Sequence, residues 1–286
     1  MYMSISIATS AMLVEVSIRT WTARKLDRGV TDEVNKSKHA SRQAGRFNKN
    51  LLADAHQLEA VQCLTSEIRQ FVYSSTMPWS DTGPRLLPTS AFHDFKQSMA
   101  KYEAEFCRLV NNFVTMYPTL ITSQAFKLGT MFDRDDFPSA EEVESKFSFR
   151  LTFSPVPESG DFRVDISSEA EVALKEAYDE AYEQRLNGAM NDVKSRLRSA
   201  LEKVSERLEY DGGKKKVFRN STVDNLKDVL VRANLMNLVD DQDLEDARLK
   251  AERLIDSVSM DELRKDDHIR KDVKVRVDDI LDKFRV

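Results

Sequence analysis

The sequence predicts an α+β fold, predominantly α, and three observations carry that expectation. Charged residues make up 32% of the 286 positions while glycines number only 8 and prolines 7, the make-up of long solvated helices. Apolar residues recur at three-to-four spacing over most of the length. Against this background two short tracts alternate strictly, one around Val14 and one from Phe147, and alternation is the mark of a half-buried strand. The hydrophobic share of 41% is enough to bury a real core.

Taken in order, Val14, Val16 and Ile18 face one way and Glu15, Ser17 and Arg19 the other, so a strand opens the fold. Leu51, Leu52, Ala55, Leu58, Val61, Leu64, Ile68, Phe71 and Val72 then predict an amphipathic helix over 50–73, beginning as early as Thr31. Cys63 and Cys107 sit inside such helical patterns and read as small core hydrophobes in a reducing compartment. All seven prolines fall between Pro78 and Pro157. Three of them, in "STMPWSDTGPRLLPTS", mark a structured loop over 75–90. The stripe from Phe92 to Tyr117 predicts a helix stopped by Pro118, with a shorter helix running on to Leu128.

In "KFSFRLTFSPVPESGDFRVDI" the alternation of Phe147, Phe149, Leu151 and Phe153, then of Phe162, Val164 and Ile166, predicts a hairpin over 147–166. A hairpin alone is marginal, so the N-terminal strand should complete a small antiparallel sheet packed on long helices. Its aromatic side is expected beneath the helix that follows. That helix should start at the Ser168/Glu171 capping box and run to Leu208, roughly 60 Å at 1.5 Å per residue. A Gly pair at 212–213 breaks it, Ser221 is placed to cap the next helix, and Ser259 with Glu262 forms another capping box, giving a C-terminal helical bundle. The organisation expected is 1–166, a helical region with the small sheet, and 167–286, the long-helix bundle, or one continuous domain sharing the sheet.

Several chemistries have no support in the residues. No Gly-rich phosphate cradle occurs, and the four histidines are scattered, so no catalytic residue, cofactor or metal ligand is assigned. "FDRDDFP", with Asp133, Asp135 and Asp136, lacks the Gly and distal Glu of a calcium loop and reads as a turn; a divalent-metal enzyme built on it is the weakest reading. "DDQDLEDARLK" reads as an acidic helix start. The N-terminus has no basic signal-peptide region, and no run nears the roughly 18 apolar residues that cross a bilayer, so a cytosolic protein without membrane contact is expected.

The net charge of −5 conceals an asymmetry. Between Arg19 and Lys49 nine Lys/Arg face three acids, a net of +6, leaving the rest near −11. On a continuous helix Lys38, Arg42, Arg46 and Lys49 would share a face suited to a phosphate backbone. "RTWTARK" sets Trp21 among Arg24 and Lys25, and "KKKVFRN" sets Phe218 among Lys214, Lys215, Lys216 and Arg219, the mixture of ring and charge used by single-strand binders. Arg19, Arg150 and Arg163 belong to the polar sides of the three strands, where either carboxylates or an anionic partner must balance them.

The segments "WTARKLD", "MPWSDTGPRLLP", "LGTMFDRDDFPS", "KFSFRLTFSPVPESGDFRVDI" and "KKKVFRNSTVDNL" resemble a family of proteins from tailed bacteriophages and prophages that has no established activity. The resemblance runs from about Trp21 to about Leu238. It implies a viral protein in the host cytoplasm, engaged in genome metabolism, host takeover or assembly. With the basic features it favours a non-enzymatic, oligomeric factor that binds or anneals single-stranded nucleic acid. The alternative is a helical structural protein that self-assembles or docks a phage or host partner without nucleic acid.

Overall fold

A computed structural model describes residues 7–157, 168–211 and 214–284. In chain order β1 (Ala11–Arg19), β2 (Arg24–Leu26), α1 (Arg28–Ser37), β3 (Asn48–Asn50) and α2 (His56–Ser75) lead to β4 (Met77–Pro78), β5 (Arg85–Pro88) and α3 (Phe92–Leu128). Next come α4 (Ala140–Glu144), β6 (Ser148–Pro155), α5 (Ser168–Leu208), β7 (Tyr210–Asp211) and β8 (Lys214–Lys215). The helices α6 (Asn220–Met236), α7 (Gln242–Asp256), α8 (Met260–Lys265) and α9 (Asp267–Lys283) follow. The fold is α+β and mainly α, with a small antiparallel sheet of order β4-β5-β1-β6. The N-terminal strand does lie beside β6, and the proline-rich loop contributes β4 and β5, which the sequence left as loop. The second hairpin strand, with Phe162, Arg163, Val164 and Ile166, lies outside the described residues, as do Gly212 and Gly213.

The chain divides into two compact units. The first comprises Met1–Glu15, Tyr73–Phe95 and Thr152–Val286. Its core joins α5 to α6 and α9, through Leu197, Leu201 and Leu208 of α5, Leu226 and Leu230 of α6, Ala251 of α7 and Val277 of α9. The leucine and valine side chains among these, so fully withdrawn from water, contribute roughly 1.5–3 kcal/mol each. Ser259 and Glu262 close the expected capping box on α8, and Asp241 caps α7 by accepting from Leu244 N. Arg219, not Ser221, is the cap residue of α6, and its side chain makes no capping bond.

Arg270 of α9 is 1% exposed. Its guanidinium donates to the carbonyls of Leu208 at 2.9 Å, Arg207 at 2.5 Å, Lys216 at 2.8 Å and Leu263 at 3.4 Å. It thus satisfies carbonyls left without an intrahelical partner where α5 and α8 end.

The second unit comprises Val16–Val72 and Lys96–Leu151. Within it α2 and α3 meet where Phe71 packs on Tyr102 and the Tyr102 hydroxyl donates to Glu67 at 3.0 Å. The helix α3 continues through Pro118, contrary to expectation. Proline inside a helix costs about 3 kcal/mol. Burial of Phe113, Tyr117, Ile121 and Gln124 on both sides, with Tyr117 bonded to the carbonyl of Pro138, outweighs that cost. The aromatic side of β6, expected beneath α5, has its ring contacts among the described residues with α3: Phe147 meets Phe113, Phe149 meets Phe106, and Phe153 meets Phe92 and Phe95. Both cysteines are exposed, correcting the core assignment. Cys63 lies two positions from buried Val61, about 200° round the helix, and Cys107 one position, about 100°, from buried Phe106.

Candidate nucleic-acid interface

The expected continuous helix over 31–73 is broken, and the basic stripe with it. Helix α1 ends at Ser37, Lys38 is its cap residue, and His39 takes the left-handed conformation at φ 52°. Asn35, 6% exposed, holds the following turn by donating to the carbonyls of Arg42 at 3.4 Å and Gly45 at 3.2 Å. A Cβ at position 45 would stand 3.0 Å from the Asn35 amide oxygen, which is why glycine suits that close approach. The chain then returns as β3 and pairs antiparallel with β2, Lys25 opposite Lys49. Asp27 caps α1 by accepting from Val30 N, and its own amide donates to the carbonyl of Phe47 at 2.9 Å. Thr31 accepts from Phe47 N at 3.0 Å. The result is a tied β2–α1–β3 lobe.

The lobe splits its cations into two sets. Lys49 is buried with its ammonium on Asp136, 2.8 Å from the Met131 carbonyl and 3.6 Å from Asp27. Half-exposed Lys25 also binds Asp136. Burial works against the charge on Lys49, but Asp136 and Asp27 outweigh it and hold its pKa above the ordinary lysine value. Burial likewise opposes charge on Asp136, and Lys25 and Lys49 overcome it, keeping that carboxyl below its usual range. By contrast Arg24, Lys38, Arg42 and Arg46 are exposed and make no ion pair among the described residues. Arg28 and Lys36, not singled out from the sequence, share that state. Nothing in their spacing sets them apart; what frees them is the scarcity of acids in the segment.

The remaining candidates separate in the same way. Trp21 packs edge-on against Tyr117 at 5.8 Å and against Phe113 at 6.4 Å, so its ring belongs to the unit's own packing. Phe218 is buried, which corrects its proposed stacking role. Lys215 bonds Asp267 at 2.5 Å, and Lys216 bonds Glu209 at 3.2 Å with Glu206 at 3.7 Å. Lys214 lies in β8, and Arg219 is exposed. On β6 Arg150 is exposed and without an ion pair among the described residues, while Arg19 donates to Ser148 at 2.8 Å.

A cleft of about 720 Å³ opens beside the lobe's paired charges, lined by Lys25, Leu26, Asp27, Arg28 and Lys49 and by Thr130–Asp133 with Asp136. Asp133 caps the short turn at 134–136 by accepting from Asp135 N at 3.0 Å. The acidic run thus serves as a cap and an ion pair. Among the described residues no group of three His, Cys, Asp or Glu side chains is placed to hold a metal ion, and no helix is long and apolar enough to cross a membrane. Comparison of the chain with protein-family models, with curated proteins and with solved structures finds no match.

Proposed function

We propose that the protein binds single-stranded nucleic acid, without catalysing a reaction on it, through the lobe between Arg24 and Lys49. One observation carries the reading: Arg24, Arg28, Lys36, Lys38, Arg42 and Arg46 are exposed on one short segment and lack carboxylate partners among the described residues. Phe47, 37% exposed, sits in sequence among these cations and supplies a ring for a base to stack on. The setting we infer, from the phage resemblance, is an oligomeric viral factor in the host cytoplasm. Fluorescence anisotropy of a labelled oligonucleotide tests the reading. If all six cations meet phosphates, affinity should fall roughly 300-fold between about 50 and 200 mM salt, and duplex of equal length should bind more weakly. Binding that ignores salt, or no binding at all, refutes it.

A second reading has its own observation. Early in α5 Val172 is 58% and Leu174 39% exposed, apolar positions that a helical partner could cover. Under that alternative the protein self-assembles or docks a phage or host protein through α5. Light scattering at micromolar concentration decides the self-assembly version, since a strictly monomeric mass rejects it.

A further inference from the structure

We propose that the cleft lined by Lys25, Arg28, Phe132 and Asp133 is a nucleotide site, which takes one nucleotide of a bound strand or a free mononucleotide. The inference rests on the nucleic-acid reading and specifies what one part of that surface holds. Its volume, about 720 Å³, falls within the range of small-molecule clefts. Lys49 and Asp136 satisfy one another, with help from Lys25 and the Met131 carbonyl, and so form a floor with its charges already matched. The capacity that remains lies elsewhere. Arg28 has no ion pair among the described residues, Lys25 is half exposed with further N–H groups to donate, and Asp133 is an exposed carboxylate that uses one oxygen as a cap. Leu26, Met131 and Phe132 form an apolar wall, and the Phe132 ring is held by Phe137 at 5.5 Å.

A ligand matching these groups brings an anion for Arg28 and Lys25, a hydrogen-bond donor for Asp133 and a flat ring for Phe132. A nucleoside monophosphate has all three: the phosphate, an exocyclic amine or sugar hydroxyl, and the base. Inorganic phosphate would leave Phe132 unused and meet Asp133 as a like charge. An apolar ligand would desolvate Arg28 and Asp133 without pairing them.

Calorimetric titration of the full chain with deoxyadenosine monophosphate, and separately with inorganic phosphate, tests the proposal. The nucleotide should bind at least about tenfold more tightly than phosphate. Arg28→Gln should weaken nucleotide binding about tenfold, and Phe132→Leu, which keeps apolar bulk but removes the ring, about fivefold. Lys215→Ala with Lys216→Ala should change neither. Circular dichroism checks that each variant is folded, and the phosphate comparison on unaltered protein stands even where a variant is not. Absent nucleotide binding, phosphate bound equally well, or indifference to both cleft substitutions each overturns the proposal. An oligonucleotide run alongside separates the two ideas: oligonucleotide bound and mononucleotide not removes the cleft alone, whereas loss of both removes the nucleic-acid reading as well.

Discussion

The lobe between Arg24 and Lys49 and the hairpin β7–β8 with its exit to Arg219 look alike as strings of letters, each mixing cations with an aromatic residue. Folded, they are opposites. The hairpin follows a helix whose end carries Glu206 and Glu209 and faces Asp267, so Lys215 and Lys216 are paired as soon as they form. Phe218 beside them is buried, with the Arg270 guanidinium 6.0 Å from its ring. Within its own segment the lobe has only Asp27, Asp32 and Glu33; Asp27 is committed to capping α1 and to Lys49, and Asp136, from outside the segment, is taken up by Lys25 and Lys49. Local supply of carboxylates, more than density of Lys and Arg, decides which basic segment keeps charge available for a partner.

The comparison can be broken from either side. The largest effect expected is at Arg270, where Arg270→Ala leaves four carbonyls at the ends of α5, α8 and the hairpin without their donor. Urea denaturation should show a loss of about 4 kcal/mol, and a loss under about 1 kcal/mol would mean that water replaces the guanidinium. Next is the lobe itself: Lys38→Glu, Arg42→Glu and Arg46→Glu together should weaken oligonucleotide binding at about 50 mM salt at least about a hundredfold while the melting temperature barely moves.

The third concerns the charges that the lobe keeps for itself. Asp136→Asn removes the main partner of buried Lys49 but leaves Asp27 3.6 Å away. The site opens on a cleft, so the cost should be about 2 kcal/mol, below the roughly 3–5 kcal/mol of a fully enclosed pair. The pH dependence has a definite sign. Asp136 has its pKa lowered in the folded state, so its contribution is complete above the ordinary aspartate value and disappears as pH falls through the folded one. Lys49, raised, contributes below the ordinary lysine value and loses that contribution as pH rises through its folded one. Asp136→Asn should therefore flatten the acid limb of a stability-against-pH curve below about pH 4; an unchanged limb would contradict the ion pair. The smallest effect belongs to the hairpin. Lys215→Ala and Lys216→Ala should each cost under about 1 kcal/mol and alter oligonucleotide binding less than about twofold.

Helix boundaries were legible where local chemistry fixed them. The Ser259/Glu262 box, the acidic start of α7 and the start of α5 at Ser168 all fall where the letters place them. Long-range contacts misled. Gln124 of α3, 1% exposed, bonds both the amide and the carbonyl of Ala53, each at 3.1 Å. It thereby holds a turn at residues whose spacing mimics a helix. Pro118 is carried inside α3 by packing that no local rule anticipates. Within the basic region, composition could not separate paired from unpaired cations. Lys49 appeared on an exposed stripe and is buried, while Arg28 and Lys36, counted in the local charge but not chosen as candidates, are free of ion pairs among the described residues.

The most direct test of the central claim is the salt dependence of oligonucleotide affinity, measured for the unaltered chain, for Lys38→Glu/Arg42→Glu/Arg46→Glu and for Lys215→Glu/Lys216→Glu. The account expects a steep salt slope, reduced by about 2 in the lobe variant and unchanged in the hairpin variant. An equal reduction in both variants, or no slope in the unaltered chain, would contradict it.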